Sequence, residues 1–137
     1  MVNECIHRKS KVSEHANKDE CIFCKMVSGK VNVKKIYEND NFFSIADAKP
    51  IVSGHSLVIS KKHFNTALDL PNILGPELMD CIKKTALKIM DEKKAEGFNI
   101  VNNSFKAAGQ IVNHVHFHII PRKKGDGFKP CGLAHSS

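Results

Sequence analysis

The sequence predicts an α+β domain with an antiparallel sheet of about five strands, one long helix and a short N-terminal helix. Five short segments are apolar or alternate between apolar and polar residues, as strands do, whereas one segment carries a long helical pattern. That helix lies between three strand candidates and two others, so the βαβ order of a parallel sheet is missing. A chain of 137 residues suits one domain. We expect a flexible tail at residues 1–19 and a single domain at residues 20–137.

The first half of the domain carries a short helix and three strands. Residues 21–29, CIFCKMVSG, predict a helix that ends at its glycine. Residues 34–40 and 41–48 alternate around the turn-prone sequence Glu-Asn-Asp-Asn, which predicts a β-hairpin. Residues 54–60, GHSLVIS, predict a third strand that follows a loop containing proline and glycine.

The second half carries the long helix and two strands. From Pro76 to about Lys94, apolar side chains recur with helical spacing, and proline in the first turn suits a helix start. The apolar face consists of Leu78, Ile82, Thr85, Ala86 and Ile89. Residues 98–103 and 111–120 predict two further strands on either side of the loop 102–109.

Composition restricts the class of ligand. The formal net charge is +7, and because residues 1–20 are balanced, the excess lies in the folded part. The electrostatic field of such a positively charged domain favours phosphate-bearing ligands.

The N-terminal residues contain neither the apolar core of a signal peptide nor an Arg-rich transit pattern. We therefore expect a cytoplasmic protein, with no membrane partner and no nucleic acid partner.

Three histidines stand at alternate positions in HVHFHIIPR, residues 114–122. On a strand, His114, His116 and His118 would share one face, with neighbours about 6.5 to 7 Å apart. Two chemistries fit this array. It could chelate a catalytic zinc ion, or a neutral imidazole could attack phosphorus while its other nitrogen is held as N–H by a backbone carbonyl. Spacing leaves both open.

The same segment resembles the histidine triad (HIT) family of nucleotide hydrolases and transferases. CIFCKMVSGK, YENDNFFSIADAKPIVSGHSLVISKKHF and GFNIVNNSFKAAGQ are also similar to bacterial-type members related to purine-nucleoside phosphoramidases, so the resemblance runs from Cys21 to about Arg122. It implies a HIT-like fold and hydrolysis at the α-phosphate of purine nucleotides through a nucleotidyl-histidine intermediate. Alternatives are a dinucleoside polyphosphate hydrolase, a nucleotide-binding regulatory module with weak catalysis, and a three-histidine metallohydrolase.

The resemblance implies roles for four histidines. His116 would be the nucleophile, and His118 would contact the phosphate or the leaving group. His114 would lie behind the nucleophile and support it. His55, in GHSLVIS, would help to fix the triad.

It also implies a nucleotide site. Asp47 would bind the ribose hydroxyls, and Gln110 and Asn103 would donate hydrogen bonds to phosphate oxygens or the bridging atom. The base would lie in an apolar slot formed by Phe23, Phe42 and Ile45. Many relatives carry serine or threonine after the glutamine, where this chain has Ile111, so that donor to the leaving group is lost.

A structural zinc site is the remaining expectation. Cys21 and Cys24 have the spacing of a zinc knuckle, which needs two more ligands, although two helix cysteines could also simply face the core. The resemblance supplies His63 and His114 as those ligands. It also implies a homodimer formed through the long helix and an edge strand.

Overall fold

A computed structural model of the chain describes residues 20–127. It contains a five-stranded antiparallel sheet in the order β1-β2-β3-β5-β4, which confirms the predicted α+β architecture. The elements are α1 (Ile22–Ser28), β1 (Lys35–Glu38), β2 (Phe42–Ala46), β3 (Ser56–Ser60), α2 (Gly75–Lys93), β4 (Gly97–Val101) and β5 (His116–Arg122). The tail expected at residues 1–19 lies outside the described residues, as do the last ten residues of the expected domain.

The predicted hairpin is β1 and β2, and asparagine chemistry forms its turn. The Asn39 side-chain oxygen accepts hydrogen bonds from the backbone N–H groups of Asn41 (3.2 Å) and Phe42 (2.9 Å). Such a bond lets asparagine stabilise a tight turn locally. The Tyr37 hydroxyl and the Asn39 amide donate to Asp80 on α2 at 2.5 and 3.1 Å, and with Lys84 they lower the pKa of that carboxyl to about 2. The hairpin is thereby joined to the long helix.

The sheet separates two apolar layers. On one face, α2 packs through the predicted stripe, and its buried residues are Cys81, Ile82, Thr85, Ala86 and Ile89, while Leu78 is partly buried. On the other face, the short helix α1 packs its Phe23 against Phe43, Ile45, Leu57 and Ile59. Because strand side chains alternate, adjacent residues of β2 belong to different layers. The predicted site residues Phe23 and Ile45 lie in the α1 layer.

The last strand begins later than the pattern predicts. Residues 112–114 form a bend, and β5 starts at His116. The backbone N–H of Val115 donates to the Phe64 carbonyl at 2.7 Å, which draws this segment toward a loop rather than into the sheet. The expectation that three histidines lie on one strand is therefore wrong for His114, which precedes β5. Its ring still lies on the α1 side, because Phe23 packs against the rings of both His114 and His116 at 5.5 and 5.2 Å. Only His116 and His118 follow strand alternation.

Gly54 precedes the β3 strand and has φ +96°, where a side chain is strained. A Cβ there would lie 3.0 Å from Cγ of Pro121 and 3.1 Å from Cγ2 of Ile89. Gly29 has φ +85° but no atom within 4 Å of the corresponding position. We expect Gly54→Ala to lower the free energy of unfolding by about 2–4 kcal/mol and Gly29→Ala by about 1–2 kcal/mol. Urea unfolding measures both, and equal losses would contradict the packing argument.

Candidate active site

A narrow cleft opens on the α1 side of the sheet, over the centre of β3 and β5. Its walls come from α1, from the residue that follows β2, from β3 and β5, and from the segment that leads into β5. The lining residues are Phe23, Asp47, Leu57, Gly109, Ile111, Val112, His116 and His118. Two of the predicted catalytic histidines thus line the same cleft as the predicted ribose-binding carboxylate.

The protonation of His116 follows from one backbone contact. Its Nδ1 lies 2.8 Å from the carbonyl oxygen of His114. A carbonyl oxygen can only accept, so the neutral ring carries its proton on Nδ1 and a lone pair on Nε2. His116 is 8% exposed, and Phe23 packs against its ring edge-on with a centroid distance of 5.2 Å. A neutral His116 ring held in this way has its lone pair on Nε2, the nitrogen that can attack an electrophile.

The tautomer of His118 follows from a second backbone contact, through His55. The Ile51 N–H donates to Nδ1 of His55 at 3.2 Å, so the neutral His55 ring carries its proton on Nε2. Nε2 of His55 lies 2.9 Å from Nδ1 of His118, so it donates a hydrogen bond to that nitrogen. His118 is left with a proton on Nε2. When neutral, His116 and His118 thus have opposite tautomers: Nε2 carries a lone pair in His116 and a proton in His118.

Asp47 lies beside this chain of histidines. Its Oδ2 is 3.4 Å from Nε2 of His55, and its Oδ1 accepts the Lys49 N–H at 3.0 Å. The side chain is almost buried yet lines the cleft. A carboxylate held in this way can accept hydrogen bonds from a ligand in the cleft.

The four predicted zinc ligands come together next to the cleft. Nδ1 of His114 lies 3.2 Å from Sγ of Cys21, 3.6 Å from Sγ of Cys24 and 3.1 Å from Nδ1 of His63. Sγ of Cys24 also lies 3.2 Å from Nδ1 of His63. In a tetrahedral zinc site, bonds of about 2.0–2.3 Å place the donor atoms about 3.3 to 3.8 Å apart. The spacing in this cluster is close to that range.

The hydrogen bonds around the cluster leave the correct nitrogens for a metal. Nε2 of His114 donates to the Ser60 carbonyl at 2.8 Å, and Nε2 of His63 lies 3.1 Å from the Asn65 side-chain oxygen. Both lone pairs are therefore on Nδ1 and face the sulfur atoms. Burial lowers the pKa of His114 to about 4, so the ring is neutral at physiological pH, as a metal ligand must be.

A second group of possible ligands does not fit a metal in the same way. Asp47, His55 and His118 also place donor atoms close together. However, Nδ1 of His55 already accepts a backbone N–H, so the nitrogen facing the group carries the proton. Binding a metal there would require an imidazolate. Of the two groups within residues 20–127, the one with the cysteines has the donor set that zinc prefers.

The glutamine and asparagines take different positions. The amide of Gln110 bonds to backbone groups at both ends: Oε1 accepts from Phe105 N–H at 2.7 Å, and Nε2 donates to the Asn65 carbonyl at 2.6 Å. Asn103 is partly buried, and its side chain makes no hydrogen bond to residues 20–127. The neighbouring Asn102, which sequence reasoning missed, donates to the His116 carbonyl at 2.9 Å. An Asn-Asn pair does not indicate which side chain faces the strand.

The apolar slot requires one correction. Phe23 lines the cleft, and Ile45 packs in the same apolar layer. Phe42 is fully buried in the layer under α2, because alternation along β2 directs it to the opposite face. Phe43 occupies the face that the prediction assigned to Phe42. Leu57, which the sequence did not single out, also lines the cleft.

Known proteins resemble the chain in sequence. A HIT domain family model matches residues 28–125. An uncharacterised HIT-like protein of Methanocaldococcus jannaschii is 43% identical over 109 residues, 78% of this chain and 82% of that protein. An adenylylsulfatase of Arabidopsis thaliana is 34% identical over 128 residues, 91% of this chain and 65% of that protein. An adenosine 5′-monophosphoramidase of Candida albicans is 35% identical over 116 residues, 82% of this chain and 74% of that protein.

Solved structures share the fold. A Streptococcus mutans protein aligns with a TM-score of 0.78 and 33% identity, covering 93% of this chain and 81% of that one. A zinc-bound histidine triad family protein of Mycobacterium smegmatis aligns with a TM-score of 0.69 and 37% identity, covering 82% of each chain.

The hydrogen bonds predict the ring tautomers at neutral pH. We expect His116 to carry its proton on Nδ1, and His55 and His118 on Nε2, because Nδ1 of His116 faces a backbone carbonyl and Nδ1 of His55 faces a backbone N–H. Long-range ¹H–¹⁵N NMR on the labelled protein distinguishes these forms. A proton on Nε2 of neutral His116 would contradict the assignment of the nucleophile.

Proposed function

The chain belongs to the HIT family, and from that premise we propose that it hydrolyses purine nucleotides at the α-phosphate, with His116 as the nucleophile. Substrates would be phosphoramidates or mixed anhydrides of an adenylate type. The phosphoramidase activity named for the Candida albicans relative and the adenylylsulfatase activity named for the Arabidopsis thaliana relative support this substrate class. The observation that carries the proposal is the contact between Nδ1 of His116 and the His114 carbonyl, which directs a lone pair into the cleft.

The proposed reaction has two displacements at phosphorus. In the first, Nε2 of His116 forms a bond to the α-phosphorus, and the bond to the leaving nitrogen breaks. That nitrogen takes the Nε2 proton of His118, which is replaced from solvent. In the second, water attacks phosphorus and the bond to His116 breaks, with one proton returned to solvent. The products are a nucleoside monophosphate and a free amine.

The His114 carbonyl would assist both steps. When Nε2 of His116 bonds to phosphorus, the ring becomes a cation whose remaining proton is on Nδ1. The carbonyl 2.8 Å away accepts a hydrogen bond from that proton and stabilises the charge. In the second displacement the ring returns to its neutral tautomer without rotating.

The remaining cleft residues would bind the nucleoside. Asp47 would accept hydrogen bonds from the ribose hydroxyls, which its position on the cleft wall supports. The base would pack against Phe23 and Ile45, with Leu57 beside them. Ile111 lines the cleft where many relatives would present a hydroxyl, so protonation of the leaving group would rest on His118. Gln110, whose amide bonds to backbone groups, would support the cleft wall, and Asn103 would face the phosphate.

A structural zinc ion is part of the proposal. Cys21, Cys24, His63 and His114 would hold it, as the zinc-bound relative from Mycobacterium smegmatis supports. When bound, the ion would fix the chain immediately before β5. His114 would then have a structural role, and its carbonyl would orient the nucleophile.

We also propose a homodimer formed through α2 and the edge strand β4. On β4, Phe98 and Ile100 are 38% and 47% exposed, and their partners in β5 lie on the face that α2 covers. Leu87 on α2 is 66% exposed. These side chains make an apolar surface beside β4, which is an edge strand among residues 20–127 and which a second copy of the chain would cover.

Replacing the nucleophile tests the function. We expect His116→Ala to lower turnover of adenosine 5′-phosphoramidate at least about a thousandfold, because no other side chain replaces the attacking nitrogen. Nucleoside monophosphate affinity should change by less than about tenfold, since the ribose and base contacts remain. Steady-state kinetics and calorimetry measure the two effects. His116→Gly with added imidazole should recover part of the activity, whereas more than about a tenth of wild-type turnover in the alanine variant would contradict the role.

Replacing a cysteine tests the metal site. We expect the purified protein to carry about one zinc per chain, and Cys24→Ser to lower zinc content and melting temperature together. Turnover should fall less than it does in His116→Ala, because the nucleophile is still present. Elemental analysis and thermal unfolding give the readouts.

Two controls separate loss of metal from loss of packing. Cys81→Ser alters a buried cysteine outside the cluster, so it should lower the melting temperature with zinc retained. After chelation, wild type and Cys24→Ser should unfold at similar temperatures. Negligible zinc in protein prepared without chelators would overturn the proposal.

A further inference from the structure

Phe105 adopts a backbone conformation that bulky residues avoid. It lies in the loop between β4 and β5, its φ is +77°, and it is one of two non-glycine residues with positive φ among residues 20–127. The residue is 56% exposed. A large aromatic residue in this region is an outlier that persists only when its surroundings hold it there.

Gln110 holds the strained backbone. Its side-chain oxygen accepts from the Phe105 N–H at 2.7 Å, and the Phe105 carbonyl accepts from the N–H groups of Ala108 and Gln110 at 3.0 and 3.2 Å. The glutamine is 3% exposed and is itself anchored to the Asn65 and Val112 carbonyls at 2.6 and 3.1 Å. The hydrogen bonds of Gln110 therefore fix the backbone of Phe105, while the residue itself is exposed to solvent.

The loop segment that Gln110 anchors is continuous with the cleft. The turn that Phe105 closes ends at Gly109 and Gln110, and Gly109 and Ile111 line the cleft beside His116 and His118. At its other end the loop is tied to the nucleophile's backbone, since Asn102 donates to the His116 carbonyl. Phe105 thus belongs to the part of the chain that forms one rim of the cleft.

In-line displacement determines which part of the substrate reaches a rim. The leaving group departs from phosphorus on the side opposite the attacking nitrogen. With the base and ribose held inside the cleft, the leaving group points away from the His116 ring. A planar apolar group that extends past the cleft wall at Gly109 and Ile111 would approach the loop 102–109, which carries the exposed side chain of Phe105.

We propose that Phe105 is a specificity residue that stacks on a planar aromatic leaving group of the nucleotide substrate. This inference rests on the proposed function, because it presumes a nucleotide held with its α-phosphorus at His116. Stacking on an aromatic side chain is a frequent way to bind planar groups without hydrogen-bond readout. The strain at Phe105 is then a cost that the native fold bears in order to present the ring.

The test compares three adenosine phosphoramidates whose amines are 2-phenylethylamine, 2-cyclohexylethylamine and ethylamine. We expect Phe105→Ala to lower kcat/KM for the phenyl substrate about tenfold and for the ethyl substrate less than twofold. The cyclohexyl substrate should lose less than the phenyl substrate, since it is apolar but not planar. Phe105→Tyr should retain the phenyl preference. Equal losses on all three substrates would overturn the proposal, as would no loss.

Stability provides a second readout. Because glycine tolerates φ +77° and alanine does not, Phe105→Gly should melt at a higher temperature than Phe105→Ala while losing the same phenyl preference. The control Ile73→Ala removes another exposed apolar side chain, 82% exposed, and should leave the preference unchanged. If Phe105 instead contacts a second copy of the chain, Phe105→Ala will shift dimer dissociation and affect all substrates alike, which contradicts the proposal.

Binding separates this inference from the proposed function. In a His116→Ala background, calorimetry gives dissociation constants for the phenyl and ethyl compounds with and without Phe105→Ala. If wild type binds these compounds but turns over none of them, the proposed hydrolysis fails, and the ratio of dissociation constants still decides the role of Phe105. Loss of the phenyl preference with Phe105→Ala supports the role, and an unchanged ratio overturns it.

Discussion

The arrangement of the site depends on the peptide carbonyl of His114. That oxygen accepts a hydrogen bond from Nδ1 of His116 and so places the lone pair of the neutral ring on Nε2. The side chain of the same residue bonds to Ser60 through Nε2 and faces two cysteines and a histidine through Nδ1. One residue therefore connects the candidate metal site with the candidate nucleophile. Whatever holds the ring of His114 also holds the oxygen that orients His116.

Backbone groups, rather than other side chains, decide the chemistry of the histidines. A carbonyl makes His116 a lone-pair donor in the cleft, and the N–H of Ile51 acts through His55 to make His118 a proton donor. The same reasoning distinguishes the two clusters of possible metal ligands. At His114, a backbone carbonyl accepts a hydrogen bond from Nε2 and leaves the lone pair of Nδ1 for a metal. At His55, a backbone N–H donates to Nδ1, so Nε2 carries the proton. Backbone groups do not titrate, so these assignments hold wherever the rings are neutral.

The loop before β5 is rigid for a different reason. Gln110 is almost completely buried and bonds to three backbone groups, one of which is the N–H of the strained Phe105. Gln110 therefore affects the cleft indirectly, by fixing the backbone of the loop that forms one of its walls. The strain is local, but the bonds that maintain it reach the residues beside His116.

Much of this protein could be predicted from the sequence, because periodicity is local. The stripe of α2, the hairpin and the glycine that ends α1 depend on residues close in the chain, and all three are present. The knuckle spacing of Cys21 and Cys24 and the alternation of His116 and His118 likewise indicated which residues meet. The HIT family supplied the functional roles, which periodicity does not contain.

Tertiary structure decided the rest through contacts between distant segments. Phe42 and Phe43 are equally apolar, and only the packing of α2 and α1 on opposite faces of the sheet shows that Phe43 belongs to the functional side. The strand pattern extended across residues 111–115, but β5 begins only at His116, and the Val115 N–H bonds to Phe64 in a distant loop. The ring of His114 meets the cysteines of α1 just before the strand begins. Sequence identifies a histidine and its period; its tautomer depends on which distant backbone group lies opposite each ring nitrogen, and only the folded chain brings those groups together.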